Sequence, residues 1–216
     1  PVRMLRDVRV APDGRLVVYS ALGHLYTRPL PAGEPKRLTS AGADTYEFFP
    51  SFSRDGQWIV YATWSDANQG RVRVIKLDGS AGRDVITRPG HYVEPSFSPD
   101  ARFIVYRHAG GDSTRGLFYA DDAGIHVVSR SGGTSLLAHE SGSDPEFDHT
   151  GTRIYIREVR NEKYTLLSVG APTVASLLPG RDEIEHVRSD NATQIVPSPD
   201  GQWVAFEERY RTYVAA

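Results

Sequence analysis

The stretch that decides the fold is Phe52-Ser53-Arg54-Asp55-Gly56-Gln57-Trp58-Ile59-Val60-Tyr61. It joins a polar turn to a β-branched and aromatic run. Asp bonds its own backbone and Gly accepts positive φ without steric cost, so Ser53 to Gly56 reverses the chain. The run from Trp58 to Thr63 then reads as a buried strand. The same phrase returns four times. It appears as Ala11-Pro12-Asp13-Gly14 before Leu16-Val17-Val18-Tyr19, and as Phe97-Ser98-Pro99-Asp100-Ala101 before Ile104-Val105-Tyr106. It appears again as Phe147-Asp148-His149-Thr150-Gly151 before Ile154-Tyr155-Ile156, and as Pro197-Ser198-Pro199-Asp200-Gly201 before Val204-Ala205-Phe206. The turn positions 14, 56, 101, 151 and 201 are 42, 45, 50 and 50 residues apart. Such an interval is the length of one four-stranded propeller blade.

Working outward from the second copy, Phe49-Pro50-Ser51-Phe52-Ser53 is a short first strand, with Pro50 where no ladder donor is needed. Val72 to Leu77 alternates apolar and basic residues as a half-exposed third strand, and Asp84 to Thr87 supplies an outer strand. Lys36 to Thr39 is the outer strand of the first unit, and Val174 to Leu178 is offered as that of the fourth. The expected fold is therefore all-β: one β-propeller array over 1–216 of four-stranded antiparallel blades. About four and a half blades are present, at 4–40, 46–88, 92–139, 143–179 and 192–216, the last lacking its outer strand. An array ending on a third strand leaves an unpaired edge. The expectation is that the native protein continues past Ala216 with further blades, or that copies pair through open blade edges. Ala101 stands where the other four turns have Gly, so positive φ there implies strain, and Ala101→Gly is expected to stabilise modestly.

The 216 residues are 39% hydrophobic and 24% charged, with a net charge of −2, as in ordinary globular chains. Near-neutrality gives no long-range attraction to nucleic acid, and no apolar run is long enough to span a bilayer. The absence of cysteine excludes disulfides, thiolate metal sites and cysteine nucleophiles. The chain starts at Pro1 without a charged-then-apolar leader, and is read as a fragment or processed chain.

No catalytic constellation is legible: there is no Gly-x-Ser-x-Gly elbow and no phosphate or dinucleotide fingerprint. The seven histidines form no His-x-His or His-Glu-x-x-His pair. Aligning the turns puts Asp7, Phe49, Glu94, Asp144 and Gln194 at equivalent positions heading the first strands. Since first strands line the central channel, Asp7, Glu94, Asp144 and Gln194, with His91 beside them, form a candidate channel-mouth binding site. Converging carboxylates there would hold a cation or a basic group of a partner. The plainer reading is that they satisfy backbone donors of neighbouring blades. Asp121-Asp122 reads as a solvated loop, with a metal site as the less favoured alternative. Trp58 and Trp203 occupy matching second-strand positions and read as packing residues, and Glu207-Glu208-Arg209 as a charged loop.

The Ser-Pro-Asp-Gly turn between an aromatic residue and an apolar triplet resembles the repeat of TolB-like propellers across the whole chain. Three longer strings resemble the TolB-like propeller fused to metal-dependent amidohydrolases: 44–53, 90–100 and 203–215. That resemblance implies a parent enzyme whose separate (β/α)8 barrel binds divalent metal. The barrel's ligands have no counterpart here, so no cofactor is expected in this chain and metal only in the missing domain. The implied role is a non-catalytic scaffold or substrate-access domain, with the catalytic domain or another protein as partner. A periplasmic or secreted location is mildly favoured by the resemblance alone. The alternatives are a stand-alone TolB-like interaction scaffold, or an accessory propeller of a prolyl oligopeptidase or tricorn-type peptidase.

Overall fold

The computed structural model describes residues 4–110, 121–172, 182–198 and 200–216. Among them the chain forms five antiparallel sheets and no helix. Blade one comprises β1 (Arg6–Val10), β2 (Leu16–Ala21), β3 (His24–Pro29) and β4 (Lys36–Arg37). Blade two comprises β5 (Tyr46–Phe52), β6 (Trp58–Trp64), β7 (Gly70–Lys76) and β8 (Arg83–Gly90). Blade three holds β9 (Tyr92–Phe97), β10 (Phe103–His108), β11 (Gly124–Ser129) and β12 (Leu136–His139). Blade four holds β13 (Ser143–Phe147), β14 (Arg153–Arg160), β15 (Lys163–Gly170) and β16 (Ile184–Ser189). Blade five has three strands, β17 (Ala192–Pro197), β18 (Val204–Glu208) and β19 (Arg211–Ala215). Strands pair in sequence order within every blade, so each sheet is a simple meander.

The repeated turn works as its residues dictate. Ser53 Oγ donates to Asp55 Oδ1 at 2.5 Å, Gln57 N–H donates to the same oxygen at 3.0 Å, and Gly56 N–H closes on Ser53 O at 2.9 Å. Ser98, Asp100 and Arg102 repeat this at 2.6 and 3.0 Å. The last residue of the turn is left-handed in every copy: φ is 72° at Gly14, 69° at Gly56, 56° at Ala101, 76° at Gly151 and 71° at Gly201. Ala101 is thus the one turn that bears a Cβ in this conformation. Its methyl is buried within the core shared by blades two and three, a compensation invisible in the turn sequence.

Successive sheets pack face to face, and each junction has its own apolar core. Val18, Leu25, Ile59 and Tyr61 join blades one and two. Val60, Val72, Ile104 and Val128 join two and three, while Val105, Ile125, Ile154 and Leu167 join three and four. The last junction is thinner, with Leu166, Ala192 and Ile195 fully buried.

Several sequence expectations change. The string proposed as the outer strand of blade four, Val174 to Leu178, lies outside the described residues, and the fourth strand of that sheet is β16. Glu207 and Glu208 belong to β18 instead of a loop, and the turn falls on Arg209 and Tyr210, both at positive φ. Trp58 packs on the core of the next blade, with the Arg130 guanidinium 4.7 Å from its ring. Trp203 at the matching position is 48% exposed, because blade five has no described following sheet to cover it. Among the described residues no helix is long and apolar enough to cross a membrane.

Candidate functional site

The heads of the first strands share a local device. In β5, Phe48 pairs with Ala62 and Ser51 with Val60, so Phe49 and Pro50 together oppose Tyr61 alone. The same two-against-one bulge places Asp7 and Val8 opposite Tyr19, Glu94 and Pro95 opposite Tyr106, and Asp144 and Pro145 opposite Ile156. Prolines are tolerated here because a bulged residue has no ladder bond to lose. The first residue of each bulge is left-handed, with φ of 52° at Asp7, 53° at Phe49, 55° at Glu94 and 46° at Asp144. In blade five the extra residue is a single one, between Ala192 and Gln194.

The bulge turns its backbone N–H toward the preceding blade, and the aligned carboxylates receive it. Asp7 Oδ2 accepts the Phe49 N–H at 3.1 Å, and Glu94 Oε2 accepts the Asp144 N–H at 2.8 Å. Glu94 also takes a two-point contact from Arg107, at 2.6 and 2.9 Å. Arg157 continues the chain of links, donating to Asp144 O at 2.8 Å and to the carbonyl of Ile195 in blade five. Asp7 and Glu94 thus each latch one blade to the next through a backbone N–H. Gln194 is exposed on β17, and His91 is exposed, edge-on to Trp64 at 5.8 Å. At the opposite end of the channel, Phe52, Phe97, Phe147 and Pro197, which end their first strands, line a depression of about 280 Å³.

Among the described residues, the ligating side chains that do gather are His108, Asp122 and His126, whose donor atoms lie within 4.8 Å of one another. His108 ends β10, His126 lies in β11, and Asp122 stands in the connection between them. Both imidazoles face the same carbonyl: His108 Nδ1 is 2.8 Å and His126 Nε2 2.9 Å from Asp122 O. Each ring stacks on a tyrosine, His108 on Tyr92 at 4.9 Å and His126 on Tyr106 at 5.7 Å. Burial holds the pKa of His108 below its ordinary value, so its ring is neutral near pH 7. The burial of Tyr106 pushes its hydroxyl's pKa up, and it donates to Ser135 Oγ at 2.8 Å. The cluster opens on a groove of about 540 Å³ between blades two and three, bordered by Arg88, Tyr92 and Ser135.

With the geometry in view, three solved structures are similar. An oligogalacturonate lyase from Vibrio parahaemolyticus superposes with a TM-score of 0.71 at 11% identity, over 96% of this chain and 61% of its own. A putative TolB from Agrobacterium tumefaciens gives 0.73 at 18% identity, over 94% of this chain and 69% of its own. The tricorn protease gives 0.67 at 15% identity, over 98% of this chain and 25% of its own. This chain has the propeller fold of all three. It spans about three fifths of the lyase's length. At such identities the likeness concerns the fold, since propellers carry many unrelated activities. No protein-family model and no curated protein matches the sequence.

Sequence reasoning passed over His108 and His126 because it sought pairs on one element. The ladder places Tyr106 opposite His126 and His108 opposite Gly124, so the two histidines are diagonal neighbours on one face. The available signal was two strands of like register, each carrying His, joined by a connection that holds an acidic residue.

A second polar centre was also missed. Glu47 in β5 is 1% exposed, yet its Oε2 accepts the Leu25 N–H at 3.1 Å and the Thr39 hydroxyl at 2.5 Å. His24 Nδ1 stands 3.6 Å away, and Ser20 Oγ holds the Glu47 carbonyl at 2.7 Å. This carboxylate rivets blade one to blade two.

Proposed function

We propose that this chain is a non-catalytic TolB-like propeller section of a larger metal-dependent amidohydrolase, where it acts as scaffold or substrate-access wall. The family part rests on the strings 44–53, 90–100 and 203–215 and their resemblance to amidohydrolase-associated propellers. One structural observation supports the scaffold part: both ends of the array present apolar side chains that internal blades bury. Met4, Leu5, Val8 and Val10 at the first blade are 69, 45, 44 and 57% exposed, and Trp203, Tyr213 and Val214 at the fifth are 48, 43 and 65% exposed. Equivalent surfaces at each internal junction are covered by a neighbouring sheet, so these two ask for the same kind of cover. Further blades or a docked catalytic domain supply it in this reading.

The test is the coding frame on both sides of 1–216, followed by hydrogen exchange of β1 and β19 in the full-length protein and in this chain alone. The expected result is added blades, a downstream His-x-His segment, and slower exchange of both strands in the full-length protein. A frame without these segments, or equal exchange in both proteins, refutes the reading. A frame containing Gly-x-Ser-x-Gly would instead favour the peptidase-accessory alternative, toward which the tricorn likeness points.

A further inference from the structure

We infer that His108, Asp122 and His126 form a binding site for one divalent first-row transition ion, of which zinc is the representative. The site is separate from the channel mouth and does not rest on the amidohydrolase reading. Three observations carry it together. The first is proximity: donor atoms of all three side chains fall within 4.8 Å. Tetrahedral zinc holds nitrogen and oxygen ligands at about 2.0–2.2 Å, so its ligands stand about 3.3–3.6 Å apart. Closing the set onto an ion therefore needs a movement of up to about 1.5 Å among the three side chains.

The second observation is rigidity. His108 and His126 are 7 and 2% exposed, on adjacent paired strands, and each ring is stacked on a tyrosine. Their orientation is fixed before any ion arrives. The third is access. The Asp122 side chain is 51% exposed and its Oδ1 lies 3.8 Å from His126 Nε2, so the ion enters from the groove and keeps room for water.

The donor set selects the ion class. Two imidazoles and one carboxylate suit zinc, cobalt or nickel, whereas calcium and magnesium prefer oxygen throughout. The Asp122 carbonyl, 2.8 and 2.9 Å from the two ring nitrogens, accepts an N–H from each while no ion is bound, so an ion displaces both protons to the far side of the rings. Binding requires each imidazole to carry its proton on the nitrogen away from the ion. Arg88 stands at the rim, with Nη1 4.0 Å from Asp122 Oδ2, and its charge weakens the site without entering it. An ion held here cross-links β10 and β11 at the base of their long connection.

The experiment uses the whole chain, stripped with chelator and titrated with Zn²⁺, Co²⁺, Mg²⁺ or Ca²⁺. The expected result is one ion bound per chain, and a melting midpoint raised by about 5 °C or more at a hundredfold excess of Zn²⁺ over its Kd. Co²⁺ should develop the visible absorption of a low-coordinate nitrogen–oxygen site. Asp122→Asn, an exposed change that leaves the fold intact, should weaken binding about tenfold or more. His126→Gln should abolish it, with circular dichroism reporting whether that variant folds. His149→Gln, an exposed histidine elsewhere, should bind as wild type. The inference is overturned if the wild-type chain shows no zinc-dependent shift and no cobalt band. It is equally overturned if Asp122→Asn binds as tightly as wild type, or if Ca²⁺ stabilises as well as Zn²⁺.

Discussion

Replacing Glu47 by Ala should be the most damaging single change at the junction of blades one and two. The carboxylate is 1% exposed and serves two buried donors, the Leu25 N–H at 3.1 Å and the Thr39 hydroxyl at 2.5 Å. Leu25 is fully buried and Thr39 is 8% exposed, so water does not replace the lost acceptor. A buried donor left unsatisfied costs about 1–3 kcal/mol. Two such donors, offset by relief from burying the charge itself, give a net loss of about 3 kcal/mol. For a chain of this size that lowers the melting midpoint by roughly 6–12 °C. Glu47→Gln keeps the shape and one carbonyl acceptor, and should cost about 1–2 kcal/mol. Urea unfolding and calorimetry on wild type and both variants give the comparison. A loss below about 1 kcal/mol for Glu47→Ala would refute the reasoning, since the donors would then have found other partners.

Three further outcomes follow from the turns and latches. Ala101→Gly relieves about 1 kcal/mol of left-handed strain but removes a buried methyl worth about 0.8 kcal/mol and frees the unfolded chain. The sequence-based expectation of a gain is thus replaced by a near-neutral one, within about 1 kcal/mol of wild type by urea titration; a larger gain would contradict it. Glu94→Ala should cost about 1–2 kcal/mol, because its pair with Arg107 is part-exposed, and should speed hydrogen exchange at the Asp144 amide; unchanged exchange there would sink the latch. The hydroxyls of Ser53 and Ser98 hold the carboxyls of Asp55 and Asp100 below the ordinary value of 3.8, so the folded state binds protons less readily than the unfolded one. Their contribution is complete above about pH 4–5 and is lost as pH falls through the lowered folded values; chemical denaturation between pH 7 and 2 should show this, and Asp55→Asn should flatten the fall.

The blades were legible because their markers are local. A turn such as Ser98-Pro99-Asp100-Ala101 carries its own hydrogen bonds, so it reads the same before and after folding. The latches were half legible: alignment put Asp7 and Glu94 in register, but their partners are backbone amides 42 and 50 residues on, which carry no side-chain signature. Trp203 shows the limit of repeat logic, since equal position gave unequal burial where no described sheet follows. His108 and His126 were hidden because their proximity is set by ladder register across a long connection. β16, Ile184-Glu185-His186-Val187-Arg188-Ser189, is apolar only at 184 and 187, so it lacks the alternation of a strand, and it has no flanking turn phrase to announce it.

The latches and junction cores described above couple each sheet chiefly to the ones beside it. Stability is then distributed as in a linear chain of units, where opening propagates inward from whichever terminus is held least. The last junction, sealed by Leu166, Ala192 and Ile195, has the smallest grip. Strands β17 to β19 should fray and reclose while the interior stays intact.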